Sequence, residues 1–173
     1  MTAKRVARLA ALLAVALLLG FLETLLPPVF PLLPYTRLGL GNVAILLCLV
    51  WYGLPYAAVI LVMKCVVIGL FSGAPVMILY SLGGGVLSLL SMFGLLKLRA
   101  NGLPAVSAVG GILHNVGQVL VAMAVTGTPA VAAVLVYLSL FGGVAGGLTG
   151  VLSYYLLRIL PKEKEASCDE HRE

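Results

Sequence analysis

Charge is what this sequence has least of. Only 10% of its 173 residues are Asp, Glu, Lys or Arg, against about a quarter in soluble domains. A soluble fold of this length needs a polar shell, and eleven basic and six acidic side chains cannot cover it. Between Leu9 and Leu157 only five charges occur: Glu23, Arg37, Lys64, Lys97 and Arg99. Aspartate is reduced to Asp169 in the C-terminal tail. Cysteine is scarce too: Cys48, Cys65 and Cys168 have no metal or redox spacing, which excludes a disulfide-built secreted module. No P-loop, dinucleotide fingerprint or nucleophile elbow is present. The net charge of +5 does not point to nucleic acid, because the basic residues sit at segment ends. What is abundant is apolar: 62% of the residues, against ~45–50% in globular chains, which excludes disorder and leaves a chain dissolved in lipid.

A bilayer core requires roughly 20 apolar residues per helix. Cutting at proline, glycine and charge predicts six transmembrane segments: Val6 to Leu26, Leu38 to Tyr52, Leu54 to Phe71, Pro75 to Leu96, Leu103 to Thr126 and Pro129 to Leu160. The second is short, and the sixth is long enough to tilt or project. The expected fold is an all-α integral membrane protein, with residues 1–160 as one six-helix domain and residues 161–173 as a charged cytoplasmic tail. Placing the N-terminus inside puts Lys4, Arg5, Arg8, Lys97, Arg99, Arg158, Lys162, Lys164 and Arg172 on the cytoplasmic side and Arg37 alone outside. That bias predicts an N-in, C-in protein of the cytoplasmic membrane. The basic start followed by Leu9–Gly20 resembles a signal peptide, but no small-residue cleavage site precedes Glu23, so it reads as an uncleaved helix.

Lipid gives helices no hydrophobic reason to associate, so small residues that permit close approach do much of that work. The sixth segment carries Gly142, Gly146 and Gly150 in one series, with Gly143 and Gly147 alongside; the fourth carries Ser81, Gly84, Gly85, Ser88 and Ser91 on one face. Both predict packing inside one bundle. The first carries Ala3, Ala7 and Ala11, with Ala10 and Ala14 adjacent, beside the basic residues where a partner subunit could dock.

Ionisable groups in hydrocarbon cost at least ~2.5–3.5 kcal/mol at a helix centre, so each needs a reason. Lys64 lies ten residues into the third segment, about 15 Å deep. His114 falls at similar depth in the fifth, followed by Asn115 and Gln118. Gly110, Gly111, His114, Asn115 and Gln118 fall within an arc of about 140°, opposite Ile112, Leu113, Val116, Val119 and Leu120. With Glu23, Arg37 and Asn42 at the outer side, the polar groups occupy the midplane and outer half. That arrangement predicts a cavity entered from outside and capped by the loop Pro27–Arg37, and its cationic midplane favours an anionic or carbonyl-bearing ligand. Each group also has a plainer reading. Asn42 would cap the second helix, Glu23 would accept from a loop donor, and His114, Asn115 and Gln118 would be interhelical glue. Lys64 is the hardest to assign a purely structural role. Asp169, Glu170 and His171 read as a solvated tail rather than a metal cluster, and no cofactor or metal is expected.

The strings Tyr35-Thr-Arg-Leu-Gly-Leu-Gly-Asn42, Ser81-Leu-Gly-Gly-Gly-Val-Leu-Ser88 with Met92, and Gly110-Gly-Ile-Leu-His-Asn-Val-Gly-Gln118 resemble the Gx transporter family. That family is also called heptaprenyl diphosphate synthase component I, and is similar to the substrate-binding S components of energy-coupling factor transporters. The resemblance covers roughly residues 6 to 160. It implies an S-component-like bundle that captures a small molecule from outside, working with a scaffold membrane subunit and cytoplasmic ATPases. The alanine stripe matches where S components present small residues to that scaffold. The family has an arginine-like basic position where this sequence has Lys64, and a lysine there cannot make a bidentate contact. A catalytic synthase would need paired aspartate-rich motifs for magnesium, and with Asp169 as the one aspartate the chain is not expected to be an enzyme.

The leading expectation is therefore a membrane transport subunit. Its ligand site would be lined or gated by Glu23, Arg37, Asn42, Lys64, His114, Asn115 and Gln118, and its partner interface would be at Ala3, Ala7 and Ala11. The alternatives are an isoprenoid- or quinone-related membrane accessory protein, and an assembly subunit without a ligand.

Overall fold

In hydrocarbon every backbone N–H and C=O must be satisfied within its own segment, so long apolar runs become helices. A computed structural model describes residues 3–25, 39–98 and 102–160. These form α1 (Ala3–Leu25), α2 (Asn42–Tyr52), α3 (Leu54–Phe71), α4 (Val76–Leu98), α5 (Leu103–Thr126), a 3-10 segment Pro129–Val134 and α6 (Leu135–Ile159). The expected bounds of α3 and α5 coincide with those observed, and α1 and α4 differ by a few residues at their ends. The sixth segment divides: Pro129 opens a tighter 3-10 stretch before the α-helix begins at Leu135. Five of the helices are long and apolar enough to cross a membrane, counting Pro129–Ile159 as one. The protein is a multi-pass membrane protein. The loop Pro27–Arg37, Arg99, and the tail with Cys168, Asp169, Glu170 and His171 lie outside the described residues.

The exception among the helices is α2. Its 11 residues rise about 16 Å, roughly half of a ~30 Å hydrocarbon core. It is apolar all round, and Asn42 to Leu49 are all buried, as expected of a helix with no lipid-facing side. It packs against α1, α3, α4 and α6. Gly53, at φ 85°, ends it with a backbone shape that side-chain-bearing residues rarely adopt, and α3 starts at the next residue.

One face of α1 serves α2 from both ends. Arg5, Leu12, Ala16, Gly20 and Glu23 lie along a single stripe at 100° per residue. At one end of α2 the Arg5 guanidinium sits 5.2 Å from the Tyr52 ring centroid and 4.6 Å from that of Tyr56 at the start of α3. At the other end the Glu23 carboxylate accepts from the Leu40 N–H at 2.6 Å, one turn before α2. A cation beside the C-terminus and an anion beside the N-terminus match the dipole of the half-length helix. The alanines of the predicted stripe (Ala3, Ala7, Ala10, Ala11 and Ala14) point the opposite way and are exposed.

The glycine series pack inside the bundle as expected. A methyl group on Gly142 or Gly146 would strike the α5 backbone at Gly111 and Ser107. One on Gly150 would come within 2.6 Å of Pro104 Cα, and one on Gly117 would strike Gly83 of α4. These contacts run α4, α5 and α6 antiparallel with their backbones nearly touching. Hydroxyls seal the α5–α6 seam, where Ser107 Oγ and Thr149 Oγ1 are 3.0 Å apart and Ser153 donates to the Thr149 carbonyl at 2.8 Å. Cys48 and Cys65 are buried in α2 and α3, as packing residues should be.

Two apolar clusters fill the interior. The larger gathers Leu12, Ala16, the whole of α2 from Val43, and Leu61, Leu89, Met92 and Val106. The smaller gathers Tyr80, Val119, Ala122, Val131 and Leu138 near the other end. The buried polar residues of α3 and α5 lie between them.

Candidate site at the start of the buried half-helix

The turn Gly39–Asn42 that begins α2 is where the predicted polar residues converge. Because α2 is half-length, this turn lies inside the bundle, at the depth of Lys64 and His114. Lys64 is 5% exposed and His114 3%. Lys64 reaches the turn from α3: its Nζ is 3.1 Å from the point where a Cβ on Gly41 would lie, and the Ala16 carbonyl oxygen is 3.1 Å from the same point. His114 reaches it from α5, with ring Cδ2 3.4 Å from the corresponding point on Gly39. Ammonium and imidazole therefore flank a single turn of backbone, and glycine at both positions leaves room for them.

The remaining partners are close by. Glu23 Oε1 holds the Leu40 N–H, so the loop-donor reading of Glu23 is realised by one of its oxygens. Asn42 is 6% exposed and makes no side-chain cap hydrogen bond; Gly41 occupies the cap position. Its Nδ2 lies 2.9 Å from the Cβ point of Gly39, and its Oδ1 has no hydrogen-bond partner. The capping role for Asn42 is therefore not what the structure has. Gln118 Nε2 lies 3.1 Å from His114 Nε2, one turn along α5. The two side chains are thus paired within α5. The ring also packs against α4, where a side chain on Gly84 would come within 3.1 Å of His114 Cε1.

Among the described residues, one predicted member stands apart. Asn115 turns toward α6 and donates to the Leu138 carbonyl against Gly142, so it serves as interhelical glue. Its place 100° round the helix from His114 carries it to the neighbouring helix. Arg37 lies outside the described residues. Three contributors escaped sequence reasoning: the Ala16 carbonyl, the bare glycines at 39 and 41, and the Arg5 clamp at the far end of α2. The Gly-Leu-Gly-Asn spacing was the one local signal for a crowded turn.

The electrostatics are those of a mixed site. A helix N-terminus carries about half a positive charge, and Lys64 adds a full one. Among the described residues no carboxylate pairs with that ammonium, although Glu23 holds the same turn from α1. Among the described residues, too, no three His, Cys, Asp or Glu side chains group as metal ligands would.

Residues 12–156 match the family described as heptaprenyl diphosphate synthase component I. The chain belongs to that family. The matched span of this component I protein takes in Glu23, Asn42, Lys64, His114 and Gln118 and begins after Ala3, Ala7 and Ala11. No curated protein and no solved structure matches it. The component I protein also has an apolar groove of about 580 Å³ away from the turn. It lies between α5 and α6, lined by Ile112, Leu135, Val136, Ser139, Leu140 and Val144.

Proposed function

We propose that this component I protein is a non-catalytic membrane transport subunit that takes up one small ligand, similar in role to the S components of energy-coupling factor transporters. The observation that carries the reading is the convergence of Lys64 and His114 on the Gly39–Asn42 turn. A buried ammonium without a carboxylate partner is costly, and an anionic or carbonyl-bearing ligand at that turn would offset the cost. The start of the short helix α2 inside the bundle supports it. Substrates in membrane transporters commonly sit at the N-terminus of a half-helix near the midplane.

The basic residues at one end of the bundle (Lys4, Arg5, Arg8, Lys97 and Arg158) support an N-in, C-in orientation. In it the protein makes six crossings, α2 forms part of the second, and the turn opens toward the exterior. The exposed alanine face of α1 is the surface for a scaffold membrane subunit, with cytoplasmic ATPases supplying the energy. Reconstituted uptake tests the site: Lys64→Ala and His114→Ala abolish it, and unchanged uptake in both rejects the assignment. Native mass spectrometry of the gently solubilised complex reports cargo and partner subunits together. Bulky residues at Ala7 and Ala11 should release the partners while leaving cargo bound.

A second reading, an isoprenoid- or quinone-related accessory protein, is favoured by the family's description and by the apolar groove between α5 and α6. A copurified polyprenyl or quinone species would support it in place of a water-soluble metabolite.

A further inference from the structure

The polar groups at the turn are not uniformly cationic, and that narrows what can bind there. Lys64 offers three donors and a positive charge, and the first turn of α2 adds partial positive charge. The same turn also carries two acceptor-bearing side chains: Glu23, whose carboxylate holds the Leu40 N–H, and Asn42, the first residue of α2. Asn42 Oδ1 is buried without any hydrogen-bond partner. A buried acceptor left unpaired is destabilising, and a ligand satisfies it only by bringing a donor.

We infer that the ligand is an ampholyte, a small molecule with an anionic oxygen for Lys64 and a neighbouring ammonium donor for Asn42. This rests on the reading of the turn as a ligand site and goes beyond it by fixing the ligand's donor and acceptor pattern. A bare polyanion fits badly. A diphosphate brings several negative charges and no N–H, so it would set oxygen against both Asn42 Oδ1 and the Glu23 carboxylate, and like charges at such range are strongly unfavourable in a low-dielectric interior. A simple fatty acid satisfies Lys64 and leaves Asn42 unpaired. An ampholyte matches both, because its anionic oxygen meets the ammonium and its N–H donor meets the unpaired acceptor.

The test identifies what the protein carries. Small molecules are released by denaturing protein purified in mild detergent from native membranes, for wild type, Lys64→Met and Asn42→Leu. The same three proteins are then melted with the common amino acids, with the deaminated carboxylic acid of each, and with inorganic pyrophosphate. Gel filtration confirms that the variants fold. The expected result is a wild-type cargo bearing both an acidic oxygen and a basic nitrogen with an N–H. Its occupancy should fall about tenfold or more in each variant. Among the probes, stabilisation should come from amino acids over their deaminated partners, with that preference lost in Asn42→Leu. Cargo without an N–H donor, retained equally by Asn42→Leu, overturns the ampholyte inference and leaves the ligand site standing. No cargo and no stabilisation by any probe overturns the ligand site along with it.

Discussion

Replacing Lys64 with methionine should make the protein more stable and, at the same time, unable to hold its ligand. Ten residues into α3, the ammonium cannot reach either surface, and only 5% of the residue is exposed. A lysine at a helix centre costs ~2.5–3.5 kcal/mol on insertion scales, whereas an apolar side chain costs close to nothing. The stem packs well. Its Cε is 4.0 Å from the Cβ point of Gly20 and its Cδ 3.3 Å from that of Gly41, so a methionine of similar length fills the same space. The polar backbone of the turn beside it offsets part of the cost, so the expected gain is about 1–2 kcal/mol. The assay is equilibrium unfolding from mild detergent into dodecyl sulfate, run beside a measurement of retained cargo. Greater stability with lost cargo is the signature of a side chain kept for function against stability. A variant destabilised by ~1 kcal/mol or more that still holds its cargo would refute the reasoning and make Lys64 a structural residue.

Other outcomes follow from particular contacts. Gly146→Leu should prevent folding, because its side chain would enter the α5 backbone at Ser107, whereas Gly147→Leu one position on meets nothing within 4 Å and should be silent in the same unfolding assay. Glu23→Ala should cost about 1–3 kcal/mol by orphaning the Leu40 N–H, and Glu23→Gln about half of that because it keeps an acceptor. Arg5→Ala removes two ring contacts and should lower stability by about 1–3 kcal/mol, with Arg5→Lys recovering only part. Asn115→Ala should weaken the α5–α6 seam by ~1–3 kcal/mol without altering cargo retention, which separates it from His114.

The helices were legible because the signals that mark them are local. The runs between Gly53 and Gly73, and between Gly102 and Gly127, end at residues that end helices, and α3 and α5 have the bounds that punctuation predicts. That Lys64 and His114 lie at one level was also legible, since counting residues from a helix start measures rise along the helix. What a single helix cannot reveal is which neighbour each face meets. The arc holding His114, Asn115 and Gln118 is wide enough to touch two helices. Only the packing sends Asn115 to Leu138 of α6 and leaves His114 at Gly39. The shortness of α2 was visible in the brief run from Leu38 to Tyr52, between Arg37 and Gly53, but its consequence was not: a short helix starts in mid-bundle and brings its own N-terminus to the polar groups. The pairing of Arg5 and Glu23 with the two ends of α2 is likewise a property of the antiparallel α1–α2 contact. It needed both helices in place.

The most direct test is a structure of the protein purified with its native cargo in a lipid nanodisc. A small molecule seated against residues 39 to 42, with one oxygen in hydrogen-bond reach of Lys64 Nζ and a donor facing Asn42 Oδ1, is the predicted result. A protein whose cargo lies only in the groove beside Leu135 and Leu140, with the ammonium and imidazole packed as they are now, would contradict it.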